Sequence, residues 1–324
     1  MDILVLHPGA LGDLILSFPA LGILRDHFPG ASLTLAANAD FAALAVPGYA
    51  DRILALAAVP LHRLYGPEPP GAAERAFFAA YERILSWTGS GDVRFGARLE
   101  AVHPQVLVKG WKPAPGEYRH VSRLFVDSLA PWLSPPHDVP VPRITIPEVE
   151  RRQGAEWLCG RGWDGKQPIV ALHPGAGSEA KRWPLSRFRE VARAAALQAR
   201  VLIIEGPAEP GLGRELASGL TAGVMLARNL PLPQLAGVLT HGRAFAGGDS
   251  GIAHLAAGLG LASVVLFGPT RPEHWAPLGP EVSVLRGSGG CPACGGSEGA
   301  LHVCLESIPV EAVVKKLRLP PGQC

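Results

Sequence analysis

Short runs of apolar residues alternate with helix-like stretches along the first part of the chain. ILVLH, at 3–7, is a continuous apolar run of the kind found in strands buried on both faces of a sheet. LTLAA, at 33–37, is a second such run. Between them lie a glycine loop and the segment PALGILRDHF, at 19–28; Ser17, just before it, is suited to cap a helix and Pro19 to open one. The pattern predicts a strand, a loop, a helix that starts near Pro19, and a second strand.

The second part of the chain repeats this order. PIVALH at 168–173, PLSRFREVARAAALQA at 184–199 and RVLIIEG at 200–206 predict a strand, a helix and a strand. Further strands are expected at 223–226, 244–246 and 263–267, and further helices at 231–240 and 251–259. Strands that alternate with amphipathic helices indicate parallel, doubly wound sheets. Such sheets bind their ligands at the carboxyl ends of the strands.

The pentapeptide LHPGA ends the first strand in both parts, at 6–10 and at 172–176. The 324 residues are about twice the usual single-domain size, so two domains are expected. The proline-rich section 131–148 separates the two patterns and has the composition of a linker. We therefore predict one domain over 1–150 and another over 151–324, each of which presents a strand-end loop to a shared cleft.

Composition narrows the class of protein. Apolar residues make up 48% of the chain and charged residues 18%, as in a compact globular protein. The 30 basic and 28 acidic residues give a net charge of +2, too balanced for a protein whose main partner is a nucleic acid. The chain starts with a strand pattern and shows no secretory signal, and glycines and Pro269 break the uncharged stretch 251–270. We expect a cytoplasmic protein without a membrane span.

The first glycine loop, GALGDLILSFPAL, carries one acidic residue, Asp13, directly after Gly12. Gly9 and Gly12 allow the backbone to approach a ligand closely. Two interpretations of Asp13 are open from the residues alone. Its short acceptor side chain suits a helix cap, and a carboxylate at a strand end also suits a general base that deprotonates a hydroxyl group.

The second loop, HPGAGSEAKRWP, matches the permissive dinucleotide fingerprint GxGxx(G/A) at Gly175, Gly177 and Ala180. Glu205 stands where the ribose-binding acid of that fingerprint is expected. The predicted helix begins only at Pro184, whereas the fingerprint glycines lead straight into a helix. An NAD-dependent oxidoreductase is therefore an alternative interpretation. The sequence contains no GxxxxGK[ST] phosphate loop.

Two further segments have residues that suit an anion. Lys181 and Arg182 follow the second glycine loop, either as cations for a diphosphate or as a solvated surface pair. In FAGGDSGIAHLAAGLG, Asp249 or Ser250 is placed to cap a helix whose first amides suit a phosphate, with His254 about one turn further on. The alternative for this segment is an ordinary capped core helix.

A cysteine-containing segment, CPACGGSEGALHVC, lies near the end of the sequence. A tetrahedral zinc site could be completed by Cys291, Cys294, His302 and Cys304. Thiols packed in a loop are the favoured interpretation, because one CxxC with irregular spacing to the other ligands is a weak metal pattern. We predict no metal.

GALGDLILSFPAL, HPGAGSEAKRWP, the Glu205 strand end and GGDSGIAHLAA together resemble the glycosyltransferase family 9 heptosyltransferases of bacterial lipopolysaccharide core synthesis. The resemblance extends in order and distance along nearly the whole chain, and CPACGG...HVCLESIPVEAV resembles the cysteine-containing tail of many members. It implies a GT-B fold, in which two Rossmann-like domains with parallel sheets face each other across a cleft. The N-terminal domain would hold the acceptor and the C-terminal domain the nucleotide sugar. Inversion at the anomeric carbon, without a metal or other cofactor, is also implied.

The same resemblance implies roles for individual residues. Asp13 matches the catalytic aspartate in the family pattern GxxGDxxxxxPA, and Lys181, two residues before Trp183, matches a lysine that neutralises the donor phosphates. The implied donor-binding residues are Gly175, Ala176, Lys181, Glu205, Asp249, Ser250, Gly251 and His254. The acceptor-binding residues are expected to be Gly9, Gly12, Lys109, Arg119 and Arg123.

The predicted function is transfer of a sugar, heptose from ADP-heptose, to a lipid-linked anionic saccharide of the lipopolysaccharide core. The protein would then visit the inner face of the cytoplasmic membrane transiently. Two alternatives stay open. One is the NAD-dependent oxidoreductase, and the other is a noncatalytic sugar-nucleotide-binding protein in which Asp13 serves only as a helix cap.

Overall fold

The structure is a computed structural model that describes residues 1–220, 223–287 and 304–318. The chain divides into two units, Met1–Thr145 and Ile146–Cys324, and the boundary lies inside the proline-rich section. Each unit has α/β architecture and one parallel sheet.

Residues 1–145 are described throughout, and their strands form one sheet. The strands are β1 (Asp2–Leu6), β2 (Ser32–Ala37), β3 (Arg52–Ala55), β4 (Arg83–Ser86) and β5 (Val106–Val108). The helices are α1 (Leu11–His27), α2 (Ala39–Ala42), α3 (His62–Tyr65), α4 (Ala72–Phe78), α5 (Val93–Val102) and α6 (Val121–Asp127). The sheet order β3–β2–β1–β4–β5 places β1 between β2 and β4. The loop after β1 therefore leaves the sheet where the strand order reverses, which is where such sheets bind ligands.

The second unit repeats this plan within its described residues. The strands are β6 (Ile169–His173), β7 (Arg200–Glu205), β8 (Val224–Arg228), β9 (Ala244–Gly248), β10 (Ala262–Phe267) and β11 (Val282–Arg286). The helices are α7 (Glu148–Cys159), α8 (Leu185–Ala196), α9 (Leu212–Ala217), α10 (Leu232–Leu239), α11 (Gly251–Gly258), α12 (Pro272–Trp275) and α13 (Val310–Leu317). The sheet order is β11–β10–β9–β6–β7–β8. The loop after β6 thus stands at the equivalent reversal, between β6 and β9.

Burial explains why these segments form strands and helices. All five residues of β6 are buried, as expected for a central strand covered on both faces. In α8, the buried residues Phe188, Val191, Ala192 and Ala195 recur three and four positions apart and form one face against the core. The strands and helices predicted between 168 and 267 are confirmed, with ends that differ by only a few residues.

The predicted start of the first helix is wrong. α1 begins at Leu11 and not near Pro19. Asp13 occupies the third helical position and its Oδ2 accepts a hydrogen bond from the backbone N–H of Ala10, 2.9 Å away. This bond satisfies an amide at the helix end, so the glycine loop leads straight into the helix.

Ser17 and Pro19 lie inside α1 and do not open it. The hydroxyl of Ser17 donates to the carbonyl oxygen of Leu14, 2.7 Å away. Nearly continuous burial over residues 14–21 stabilises the helix although Pro19 lacks one backbone hydrogen bond.

The uncharged stretch 251–270 contains α11 and β10. Among the helices of the described residues, none is long and apolar enough to cross a membrane.

Candidate active site

The first strand-end loop places Asp13 on the wall of a cavity of about 510 Å³ within the first unit. Ser90, Trp111 and Lys112 also line this cavity. The ammonium group of Lys112 lies 5.4 Å from the centre of the Trp111 ring, in a cation–π contact. A carboxylate and a cation therefore share one cavity, as expected at a site for a polar or anionic ligand.

His7, the histidine of the first LHPGA, is fully buried beneath this loop. Its ring lies among three aromatic rings, 5.7 Å from Trp87, 6.1 Å from Trp111 and 5.6 Å from Phe125. Its Nδ1 accepts a hydrogen bond from the backbone N–H of Gly9, 3.2 Å away. Burial lowers the pKa of His7 to about 4. Hydrogen bonds with the backbone of Asp13 and of His7 itself raise the pKa by a smaller amount. His7 is therefore neutral at physiological pH.

Gly9 lies between His7 and Asp13. A Cβ atom added to Gly9 would stand 2.7 Å from Cε1 of His7 and 2.5 Å from Cβ of Asp13. Such approaches are closer than van der Waals contact permits, so only glycine fits here without displacing the carboxylate.

The other residues predicted to bind the acceptor have different surroundings. Arg119 donates to Glu117 and to Asp127, and Arg123 pairs with the same Asp127 and donates to two backbone carbonyls. The hydrogen bond from Arg119 is the main reason that the pKa of Glu117 falls to about 2. Lys109, Arg119 and Arg123 are not among the residues that line the cavity beside Asp13, whereas Gly9 is.

The second strand-end loop joins His173 to two other side chains. The Nε2 atom of His173 lies 2.9 Å from Oε1 of Glu209, and its Nδ1 atom lies 3.2 Å from Oγ of Ser250. Both members of the His173–Glu209 pair are about 95% buried. A Cβ atom added to Gly175 would stand 2.1 Å from Oε1 of Glu209, so the glycine lets the loop pass directly over this carboxylate.

Lys181 approaches the same region from the short 3₁₀ turn Glu179–Lys181. Its Nζ donates to Oδ2 of Asp249 at 2.8 Å, and the hydroxyl of Thr270 donates to the same oxygen at 2.7 Å. The neighbouring Trp183 is buried in the core and fixes the end of the segment. The structure therefore brings Lys181 together with Asp249.

Of the two residues predicted to cap α11, Ser250 and not Asp249 occupies the N-cap position. Ser250 is the N-cap residue by position but makes no side-chain capping bond, because its hydroxyl lies against His173. Asp249 is occupied by Lys181 and Thr270. The amides of the first turn of α11, which opens at Gly251, therefore lack a side-chain cap from Ser250.

Glu205 ends β7, as predicted, but its carboxylate is turned towards α9. Oε2 accepts from the backbone N–H of Arg214 at 3.1 Å, and Oε1 lies 3.1 Å from Nε of Arg228. Burial raises the pKa of Glu205, but hydrogen bonds from the backbone of Gly211, Arg214 and Gly213 lower it overall.

Ala176 and His254, two other predicted donor residues, are buried. Of the suggested zinc ligands, Cys304 is buried, and the other three lie outside the described residues.

Comparison with known proteins places this geometry in a family. Residues 101–302 match the model of glycosyltransferase family 9 (heptosyltransferase), which is more than half of the chain. The chain belongs to glycosyltransferase family 9.

Two curated relatives and one solved structure show how far the likeness extends. This family 9 chain is 27% identical over 271 residues to lipooligosaccharide heptosyltransferase 2 of Haemophilus influenzae. The matched region covers 76% of this chain and 73% of the relative. It is 26% identical over 219 residues to lipopolysaccharide heptosyltransferase 2 of Salmonella typhimurium, covering 65% of this chain and 60% of that one, less than two thirds of its length. The structure of E. coli ADP-heptose lps heptosyltransferase II has a TM-score of 0.72 at 20% identity, covering 98% and 97% of the two chains. This likeness confirms the predicted GT-B fold class.

Several polar side chains of this family 9 site were not anticipated from the sequence. Neither histidine of the two LHPGA copies, His7 and His173, was given a role, although the repeat itself marked both positions. Glu209 lies in the loop GPAEPGLG after β7, which carries no motif that points to His173. Thr270, the second partner of Asp249, likewise follows a strand end without a recognisable pattern.

Proposed function

We propose that this protein is an inverting glycosyltransferase that transfers heptose from ADP-heptose to a hydroxyl group of a lipid-linked, anionic acceptor of the lipopolysaccharide core. The family assignment and the names of the relatives support this choice of donor and acceptor. The observation that carries the proposal is the position of Asp13, which lines the same cavity as the cation Lys112.

In the first unit, Asp13 would act as the general base. The hydrogen bond from Ala10 to Oδ2 fixes the orientation of the carboxylate. Asp13 removes the proton of the acceptor hydroxyl while that oxygen attacks the anomeric carbon from the side opposite the diphosphate. A single displacement of this kind inverts the configuration at the anomeric carbon. General base catalysis contributes roughly 10²- to 10⁴-fold to the rate.

In the second unit, Lys181, Ser250 and the first amides of α11 would bind the diphosphate. Lys181 is partly exposed and paired with Asp249, so its ammonium group is already held near the start of α11. The amides at a helix N-terminus attract anions. Negative charge grows on the diphosphate as the glycosidic bond breaks, and these groups would stabilise it in the transition state without a metal ion.

The two units would accordingly divide the substrates, with the acceptor on residues 1–150 and the nucleotide sugar on residues 151–324. Because the proposed acceptor is lipid-linked, the protein would meet it at the inner face of the cytoplasmic membrane through transient contact.

A noncatalytic sugar-nucleotide-binding protein is the second candidate, and one observation favours it. Asp13 accepts a hydrogen bond from the backbone N–H of the N-cap residue Ala10, which is the structural role of the third helical residue in a capping box. The NAD-dependent oxidoreductase receives no comparable support, since the family assignment points to glycosyl transfer.

The deciding experiment is Asp13→Asn with ADP-heptose and an acceptor of the lipopolysaccharide core. Asparagine keeps the size of the side chain and an oxygen for the Ala10 amide, but it cannot accept the substrate proton. We expect transfer to slow by roughly 10²- to 10⁴-fold while ADP binding is unchanged. NMR of the product reports whether the anomeric configuration is inverted.

Asp26→Asn, an exposed position in the same helix, is the matched control and should transfer at the wild-type rate. A normal rate for Asp13→Asn would exclude Asp13 as the base. ADP binding by a wild-type protein that transfers nothing to any core acceptor would favour the noncatalytic candidate. Tight binding of NAD in place of ADP would overturn the proposed function.

A further inference from the structure

Three polar side chains from different strand ends form one hydrogen-bonded row in the second unit. His173 ends β6, Glu209 lies in the loop after β7, and Ser250 follows β9. The two contacts are 2.9 Å from Nε2 to Glu209 and 3.2 Å from Nδ1 to Ser250. Three segments distant in sequence therefore converge on one imidazole ring.

The inner end of this row is a buried carboxylate. Burial raises the pKa of Glu209, but the hydrogen bond and the charge of His173, the N–H of Gly206 and the charge of Arg182 lower it overall. Glu209 is therefore ionised at neutral pH and only accepts hydrogen bonds. Hence the Nε2–H group of His173 donates a hydrogen bond to the carboxylate of Glu209.

The outer end of the row is the hydroxyl group of Ser250, at the N-terminus of α11. A serine hydroxyl has one proton to donate. If Nδ1 of His173 accepts that proton, the hydroxyl offers only lone pairs to a ligand. If Nδ1 carries a proton and donates it to Oγ, the serine proton is directed outwards, where an anion can accept it.

We propose that His173, held by Glu209, is a positioning residue for Ser250 and makes its hydroxyl a hydrogen-bond donor to the diphosphate of the donor nucleotide. In this arrangement Nε2 of His173 donates a hydrogen bond to Glu209, and Nδ1 donates one to Oγ of Ser250. The inference rests on the proposed function only in placing a nucleoside diphosphate at the start of α11. The row adds selectivity for phosphate and not for the nucleoside.

The test compares ADP with adenosine, which lacks the phosphates. Dissociation constants are measured by calorimetry for ADP and by ligand-observed NMR for adenosine. His173→Gln keeps an amide near Glu209 and loses the group facing Ser250, and Ser250→Ala removes the hydroxyl. Each is expected to weaken ADP binding about 10-fold, the lower end for a hydrogen bond to a charged group. Adenosine binding should stay within about 2-fold of wild type in both variants, which also reports that the site is folded.

The double variant separates action through Ser250 from independent effects. If His173 acts through Ser250, the double variant binds ADP about 10-fold more weakly than wild type. Independent effects would multiply to about 100-fold. His173→Asn keeps a polar donor at the position of Nδ1 and should restore ADP binding to within about 3-fold of wild type.

Glu215→Gln, at an exposed position of α9, is the matched control for charge in this part of the unit and should not alter ADP binding. A multiplicative double variant, equal weakening of ADP and adenosine, or no effect of His173→Gln would each overturn the positioning role, with Asp13 and the proposed transfer unaffected. A wild-type protein that binds adenosine but gains nothing from the phosphates would instead refute the diphosphate site, and the proposed donor with it.

Discussion

The two LHPGA loops have the same five residues at the same point of two similar sheets, yet their histidines have opposite surroundings. His7 lies among Trp87, Trp111 and Phe125, and burial lowers its pKa to about 4. His173 lies between Glu209 and Ser250. The first ring is neutral and packs against aromatic side chains beneath Asp13, whereas the second belongs to a row of hydrogen-bonded polar side chains.

This difference comes from residues outside the repeat. In a parallel sheet, the loops after neighbouring strands meet at one edge, so partners such as Trp87 after β4 and Glu209 after β7 come from other strand ends, and Phe125 comes from α6. The pentapeptide fixes where the ring stands, and the other loops decide whether it meets apolar or polar groups. We expect the first loop to hold a carboxylate in place and the second to bind a charged ligand.

Among the substitutions that test this difference between the two loops, Gly9→Ala should have the largest effect, a fall in kcat. The new methyl group would overlap both His7 and Asp13, so the carboxylate must move. A displacement of about 1 Å at a reacting group can cost on the order of 10²-fold in rate. We expect kcat for heptose transfer to fall by about that factor while the dissociation constant for ADP is unchanged.

Gly48→Ala, where an added Cβ meets nothing within 4 Å, is the control in the same unit. It should retain the wild-type kcat. If Gly9→Ala also stays within about 3-fold of wild type, the tight packing around Asp13 has no catalytic role.

His7→Leu should make the protein less sensitive to mild acid. The unfolded chain protonates His7 as the pH falls through 6.5, whereas the folded protein does so only near pH 4. The free energy of unfolding therefore falls across this window, by about 2 kcal/mol between pH 7 and 5. Leucine removes this loss, which urea unfolding at the two pH values measures.

The second loop behaves differently in the same window. The lowered pKa of Glu209 means that its contribution to stability is present above pH 4.5 and is lost only as the pH falls below that value.

His137→Gln, at a fully exposed side chain, is the control for His7→Leu and should lose as much stability between pH 7 and 5 as the wild type does. An equal loss in His7→Leu and in wild type would contradict the neutral, buried state of His7.

The fold was largely predictable because its signals are local. Continuous apolar runs mark central strands such as β6, and the spacing of buried residues marks α8. The start of α1 was missed because Pro19 is a strong local signal for a helix start. The capping bond between Asp13 and Ala10 forms earlier in the chain and outweighs it.

The candidate site was predictable only in part. Asp13 and Lys181 follow strand ends within recognisable motifs, so their positions could be inferred. The contacts of Arg119 with Glu117 and Asp127 depend on how residues 109–127 fold, and no periodic pattern covers that region. Partners such as Glu209 are fixed by tertiary contacts alone.

Lys112→Met sharpens the acceptor side of the comparison and has the smallest expected effect. Lys112 lines the cavity beside Asp13, whereas Lys109, which the sequence favoured, does not. An exposed cation contributes about 0.2–1 kcal/mol to an ion pair, so we expect KM for the anionic acceptor to rise by up to about 5-fold with kcat unchanged. The rise should shrink at high salt, because surface charges are screened. Lys109→Met is the matched comparison: if it raises KM and Lys112→Met does not, the acceptor binds elsewhere on the first unit and the cavity beside Asp13 is not its site.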